Sequence, residues 1–193
     1  MKKIKLFGTV LTCALFSGMI TAKTMEKRAI AAQKVNTEIA TFAGGCFWCM
    51  QPAFEGLRGV KEVLAGYTGG RGKNPTYEDY ADKGHIEAVR IIYDPSQISY
   101  VELLGVFWRQ VDPTDPGGQF CDRGLQYRSV IFYHTQEQKQ LAEKSKEELG
   151  KSARYTKPLV TEIIKASAFY QAEEYHQDYH KKNPIRYKFY RFN

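Results

Sequence analysis

Several features that would place this chain in a simple class are missing. It has no internal repeat and no low-complexity run, which removes repeat and disordered architectures. No block of like charge dominates. The 28 Lys and Arg against 21 Asp and Glu leave a formal charge of +7. The basic residues are dispersed, apart from the tail from Lys181-Lys182 to Arg191, so no nucleic-acid partner is implied. The longest apolar run, Leu6 to Ile20, falls short of a comfortable membrane span. Cysteine is sparse, with four copies and none beyond Cys121. A zinc-stabilised module built on Cys46, Cys49, Cys121 and a histidine therefore lacks a second close ligand pair.

What is present fits one soluble globular domain: 193 residues, 43% hydrophobic and 25% charged. The first 22 residues read as a signal peptide. Lys2, Lys3 and Lys5 precede the apolar run, and Thr21-Ala22 offers a small residue for cleavage. Removing them takes away three lysines and no acid, so the formal charge falls from +7 to +4. Cys13 is lost with that segment. Residues 23–36, polar and Ala-rich, read as a linker, which leaves 37–193 as the folded domain. Export to the periplasm or outside the cell is expected, with an uncleaved N-terminal membrane anchor as the alternative.

Glu38 to Ala43 alternates as a short strand. After Gly44-Gly45, a helix is predicted from Cys46 to Leu57, closed by Arg58-Gly59. Val60 to Tyr67 and Ile86 to Tyr93 are strand-like, rich in Val, Ile and Tyr, with a Gly- and Pro-containing loop between them. Ser99 and Glu102 make a capping box. The helix it opens carries Val101, Leu104, Trp108 and Val111 on an apolar stripe, which makes Trp108 a packing residue. Gln126 to Tyr133 reads as a strand, Thr135 with Gln138 caps a charged helix ending near Gly150, and Leu159 to Lys165 reads as a strand. A last helix spans Tyr170 to Lys182. Two strands in succession without an intervening helix favour an α+β two-layer sandwich, ferredoxin-like, with a mixed or antiparallel sheet.

The stretch Gly44-Gly45-Cys46-Phe47-Trp48-Cys49 carries the chemistry. A thiolate is the reactive form of cysteine, and the free N–H groups of a helix N-terminus stabilise it. Cys46 at the start of a helix, brought there by two glycines, is expected to have a lowered pKa. Cys49, three residues on, lies on the same helix face at about 5–6 Å, within reach of a disulfide. The rings of Phe47 and Trp48 build a small apolar pocket suited to a methyl thioether.

Gly45-Cys46-Phe47-Trp48 resembles the signature of the peptide methionine sulfoxide reductase A family. Further segments agree in order: Asn74-Pro75-Thr76-Tyr77, Gly84-His85-Ile86-Glu87-Ala88-Val89, Tyr93-Asp94-Pro95, Asp112-Pro113-Thr114, Asp122-Arg123-Gly124 and Gln126-Tyr127-Arg128-Ser129. The resemblance spans roughly residues 38–187. It implies a reductase for the S-epimer of methionine sulfoxide in proteins, and in the free amino acid, with no cofactor and no metal. Cys46 would attack the sulfoxide sulfur, and Glu87, semi-buried with a raised pKa, would supply the proton. Tyr77 and Tyr127 match the hydroxyls that hold the oxygen, with Tyr80 as the alternative to Tyr77. Phe47 and Trp48 match the wall that receives the methyl group, and Asp122 matches a polar group near the site. The product on the enzyme would be a sulfenic acid that a second thiol condenses to a disulfide.

Family members often carry recycling cysteines in a C-terminal tail, and this chain has none there. Cys49 is favoured as the recycling thiol for its helical spacing, with Cys121 or an external thiol as alternatives. A thioredoxin-like protein is the expected reductant. The domain is expected to be a monomer without stable membrane insertion. Glu173, His176 and His180 have a spacing that could bind a metal, but they read as a solvated face or as support for the site. His85 reads as a turn or packing residue. The rival reading, a dithiol oxidoreductase using Cys46 and Cys49, is weakened by the bulky Phe-Trp spacer, which would crowd a docking protein disulfide.

Overall fold

A computed structural model describes residues 36–192. The expected signal peptide, with Cys13, and all of the expected linker but Asn36 lie outside the described residues.

The chain runs β1 (Glu38–Gly44), α1 (Phe47–Phe54), β2 (Val60–Thr68), β3 (Ile86–Tyr93), α2 (Tyr100–Gln110) and a small hairpin of β4 (Gly118–Gln119) and β5 (Asp122–Arg123). A 3-10 turn at Leu125–Tyr127 leads into β6 (Ser129–Tyr133), α3 (Gln136–Lys151), β7 (Glu162–Lys165) and β8 (Tyr170–Gln171). A second 3-10 turn at Glu174–His176 precedes α4 (Tyr179–Lys182) and α5 (Pro184–Phe192). The six-stranded sheet has the order β7-β6-β1-β3-β2-β8. Only β6 and β7 pair in parallel; the other neighbours are antiparallel. This is the mixed α+β sheet that the sequence predicts.

Side-chain alternation divides the strands between two faces. Phe42, Val89, Ile91 and Ile131 join the main core with the helices, among them Met50, Phe54, Leu103, Leu104, Phe107 and Ala142. Their neighbours Ala43, Ile86, Ala88, Val130 and Phe132 form a smaller cluster on the opposite face, covered by Ala166 and Phe169. Glu87 lies between Ile86 and Ala88, so the same alternation turns it toward the helix-bearing face. That one-residue register decides where the carboxyl stands.

The expected caps are in place. Ser99 accepts from the Glu102 N–H at 3.2 Å while Glu102 reaches back to the Ser99 N–H at 2.8 Å. Thr135 accepts from the Gln138 N–H at 3.1 Å. Trp108 packs in the core and donates to Ser145 Oγ at 2.7 Å. His85, buried, accepts from the Gly70 N–H and holds the Gly72 carbonyl at 2.7 Å, pinning the loop after β2.

Several predicted boundaries shift. Val101 leaves the apolar stripe and faces solvent, while Leu103 and Phe107 take the core. The strand expected from Gln126 begins at Ser129, because Leu125–Tyr127 winds into a 3-10 turn. The strand expected from Leu159 is confined to Glu162–Lys165.

The largest correction concerns the expected helix Tyr170 to Lys182. Its first residues pair with β2 as β8, and the Gln177 carboxamide then extends the sheet edge in place of backbone. It accepts from the Ala65 N–H at 3.0 Å and donates to the Ala65 carbonyl at 3.0 Å. The expected C-terminal limit holds, since α4 ends at Lys182, and Pro184 then starts α5, where its fixed φ and missing N–H suit a first helical position.

Candidate active site

The double glycine has a steric explanation at each position. Gly45 adopts φ +85°, and a Cβ there would meet Gln119 Cβ at 2.7 Å. A Cβ on Gly44 would meet Val111 Cγ1 at 2.6 Å and Met50 Sδ at 2.8 Å. Only glycine turns the chain from β1 this sharply while passing so close to its neighbours. The turn delivers Cys46 to the N-cap of α1 rather than into the helix. Its carbonyl accepts from the Cys49 N–H at 3.0 Å and the Met50 N–H at 3.2 Å. The helix is shorter than expected and ends at Phe54, where Glu55 turns to an extended backbone after its N–H bonds to the Gln51 carbonyl.

Glu87 stands directly under this N-terminus, 2% exposed. One carboxyl oxygen accepts from the Phe47 N–H at 2.9 Å and the other from the Tyr80 hydroxyl at 3.0 Å. The nearby Cys46 thiol also acts on the carboxyl and pulls its pKa down. Burial pushes the Glu87 pKa up to about 7, against the downward pull of these donors, so the group holds a proton about half of the time at neutrality.

The expected lowered pKa of Cys46 is overturned. Its hydrogen bond with Cys49, then burial, then the Glu87 charge push the Cys46 thiol well above its ordinary value. The helix effect is present, since the Trp48 N–H bonds to the sulfur and pulls the other way, but it is outweighed. Cys49 is lowered by the same thiol–thiol hydrogen bond, with further help from Arg191. Cys46 and Glu87 thus each shift the other's ionisation at the start of α1.

The hydroxyls around the pair are kept protonated. Tyr80 bonds to Tyr127 as well as to Glu87, and burial followed by the Glu87 charge pushes both phenols up. Tyr77 is raised by burial, then by Glu87 and Cys46. Its ring stacks on Tyr80 at 5.9 Å, and its N–H donates to Glu173 Oε1 at 2.9 Å. The second Glu173 oxygen accepts from the Tyr67 hydroxyl at 2.8 Å. The structure thus brings Tyr77, Tyr80 and Tyr127 together beside Glu87, and the hydroxyl bonded to the carboxyl is that of Tyr80.

Phe47 and Trp48 pack into a cluster of aromatic rings beside the thiol. Phe47 is buried against Tyr67 at 5.9 Å and His176 at 5.0 Å. Trp48, half-buried, lies flat on Tyr179 at 3.7 Å and 7°, and its Nε1–H donates to His176 Nδ1 at 3.0 Å. A hollow of about 270 Å³ reaches Cys46 from another side and is lined by Gly45, Cys49, Gln119, Cys121, Asp122 and Arg191, among others. Cys121 and Asp122 arrive on the β4–β5 hairpin, where Cys121 is exposed and Asp122 partly so. Both candidate recycling thiols therefore share one cavity with Cys46.

Glu173, His176 and His180 go to separate partners: Glu173 to Tyr67 and Tyr77, His176 to Trp48, and His180 to Glu55 at 3.3 Å. The first two support the site's aromatic residues. Tyr67, Tyr179 and Arg191 were not singled out by the sequence reading. Only the charge of Arg191 in the basic tail gave any signal.

Comparisons with known proteins agree with this geometry. The family model described as peptide methionine sulfoxide reductase matches residues 38–193. The chain is 55% identical over 156 residues to peptide methionine sulfoxide reductase MsrA of Bacillus licheniformis, covering 80% of this chain and 86% of that protein. Its fold is similar to the reduced form of Mxr1 from Saccharomyces cerevisiae, with a TM-score of 0.73 at 30% identity over 79% of this chain and 89% of that one. It is also similar to methionine sulfoxide reductase A of Corynebacterium diphtheriae, with a TM-score of 0.67 at 30% identity, covering 79% and 78% of the two chains. The match begins at the first residue of β1 and takes in every element that builds the Cys46–Glu87 pair, so this chain belongs to the peptide methionine sulfoxide reductase family of oxidoreductases.

Proposed function

We propose that this enzyme reduces the S-epimer of methionine sulfoxide, in oxidised proteins and as the free amino acid, with Cys46 as nucleophile and Glu87 as proton carrier. The observation that carries the assignment is a buried carboxyl bonded to the Phe47 N–H, one residue from Cys46 at a helix N-terminus, with its pKa pushed up to about 7. Glu87 takes the Cys46 proton as the sulfur attacks the sulfoxide sulfur, then gives it to the sulfoxide oxygen. The oxygen ends on Cys46 as a sulfenic acid and the thioether leaves as methionine, so atoms and protons balance without release to solvent.

Tyr77, Tyr80 and Tyr127 stay neutral and donate to the oxygen as charge builds on it. Trp48, fixed by Tyr179 and His176, receives the methyl group over the buried Phe47 ring. Asp122 adds negative charge near the pair and helps to keep the Glu87 proton in place. Cys49, bonded to Cys46 and already lowered, resolves the sulfenic acid, and Cys121 in the same cavity is the alternative. A thioredoxin-like protein returns the dithiol.

The domain at 37–193 acts as a monomer. The basic n-region and apolar run of residues 1–22 support export to the periplasm or beyond, where the reductant is one that works outside the cytosol.

Turnover on each sulfoxide epimer, measured for wild type, Cys46→Ser, Cys49→Ser and Cys121→Ser, tests the assignment. Cys46→Ser abolishes reduction of the S-epimer, and Cys49→Ser forms methionine once without an intramolecular disulfide. Activity on the R-epimer alone, or an active Cys46→Ser, overturns it.

A further inference from the structure

The resolving thiol needs to be ionised, and the inference here rests on the reading that Cys49 resolves the Cys46 sulfenic acid. The tail carries no cysteine, yet α5 returns it to the thiols. Arg191 lines the hollow together with Cys46, Cys49 and Cys121. Its Nη2 donates to Gln110 Oε1, at the end of α2, at 3.2 Å. Its guanidinium carbon lies 5.7 Å from the centre of the Phe120 ring on the β4–β5 hairpin. The cation is braced from two sides at the wall of the cavity, on elements far apart in sequence.

The charges facing Cys49 are few. Asp122 from β5 and Glu87 from β3 oppose its ionisation, the Cys46 thiol supports it by hydrogen bonding, and Arg191 from α5 supports it by charge. Tyr187, on the same helix as Arg191, also senses Cys49 and is kept protonated.

We propose that Arg191 is a positioning residue for recycling, whose guanidinium stabilises Cys49 as the attacking thiolate beside Cys46. The Cys49 thiolate attacks the Cys46 sulfenic sulfur. The S–S bond forms as the S–O bond breaks, Cys49 is oxidised as Cys46 is reduced, and the proton that Cys49 gives up on ionising is taken by Glu87, emptied in the reduction step, and passed to the leaving hydroxide, which departs as water. A tail that supplies a cation in this way serves the thiol pair already at the helix start, without contributing a thiol of its own.

The test is the pH dependence of Cys49 alkylation in the reduced full-length protein, read at the Cys49 peptide by mass spectrometry. It is run for wild type, Arg191→Gln and Arg191→Lys. Arg191→Gln keeps a donor for Gln110 but no charge. It raises the alkylation midpoint by about 1 pH unit, which slows the reaction at neutral pH by up to about tenfold. Arg191→Lys restores most of the wild-type profile. An unchanged midpoint in Arg191→Gln, or equal shifts in both variants, overturns the proposal. The underlying reading is judged separately: a disulfide that still forms after one turnover in Cys49→Ser sinks Cys49 as the resolving thiol, whatever the alkylation profiles show.

Discussion

Replacing Glu87 with glutamine separates two ways in which the site could be limited. Glu87→Gln keeps the size and one acceptor oxygen for the Phe47 N–H, while its NH2 group faces the Tyr80 hydroxyl as a donor, and it removes the negative charge and the transferable proton. The charge is one of the causes that hold the Cys46 thiol high, so the thiol ionises at lower pH in the variant. A reaction limited by thiolate formation would then run faster. A reaction that must protonate the departing oxygen runs slower, by about 10²–10⁴-fold in the first turnover, or about 3–5 kcal/mol of barrier.

The pH profile sharpens the contrast. The working state has one proton on the Cys46–Glu87 pair. With Glu87 at about 7, that state accounts for about a tenth of the protein at pH 6 and about half at pH 7. The wild-type single-turnover rate therefore rises about fivefold between those values, and Glu87→Gln lacks that limb. Quenched single-turnover methionine formation gives the rate, and ultraviolet thiolate absorbance follows ionisation in parallel. A Glu87→Gln protein as fast as wild type, or with the same limb centred near pH 7, refutes the proton relay.

Gly45→Ala forces a Cβ onto Gln119 at a left-handed φ. It should destabilise the fold by about 1–3 kcal/mol, seen as a lower melting temperature, with a larger fractional loss of kcat as Cys46 leaves its seat. Glu173→Gln weakens the ties to the Tyr77 N–H and the Tyr67 hydroxyl; a rise in KM exceeding the fall in kcat is expected, and an unchanged KM would remove Glu173 from substrate positioning. His176 is held neutral, with burial depressing its pKa below the usual 6.5, and its Nδ1 must accept from Trp48. The unfolded chain takes up the proton more readily, so this histidine's contribution to stability is present above about pH 6.5 and lost as pH falls through that region. Urea titrations at several pH values should show His176→Gln less stable than wild type at pH 8, with the gap closing at pH 5.5; a gap that does not change with pH contradicts this.

The strands were readable where local alternation and burial agree. β3 keeps its predicted limits, and β1 and β2 each extend by one residue, because Val, Ile and Phe alternate with residues for the opposite face. The caps at Ser99 and Thr135 were readable because their partners lie three residues away. The C-terminal third was not, since Gln177 answers to Ala65 on a strand 112 residues earlier, and no local pattern signals that pairing. Within the site, the placing of Cys46 at a helix start was legible from the double glycine, and Glu87 facing the helices from the alternation of its strand. The raised pKa of Cys46 has a different origin: both the helix N-terminus and Cys49 are visible in the sequence, but the thiol–thiol hydrogen bond, burial and the Glu87 charge outweigh the helix only once the chain has packed. The choice between Tyr77 and Tyr80 likewise depends on which hydroxyl the turns after Pro75 aim at the carboxyl, and that is Tyr80.

The most direct measurement is to trap the oxidised sulfur. Treating the Cys49→Ser, Cys121→Ser double variant with one equivalent of the S-epimer and a sulfenic-acid reagent should give one methionine per chain and a single adduct, on Cys46. Methionine released with Cys46 unmodified, or formed at the same rate by Cys46→Ser, would contradict the assignment of that sulfur as the oxygen acceptor.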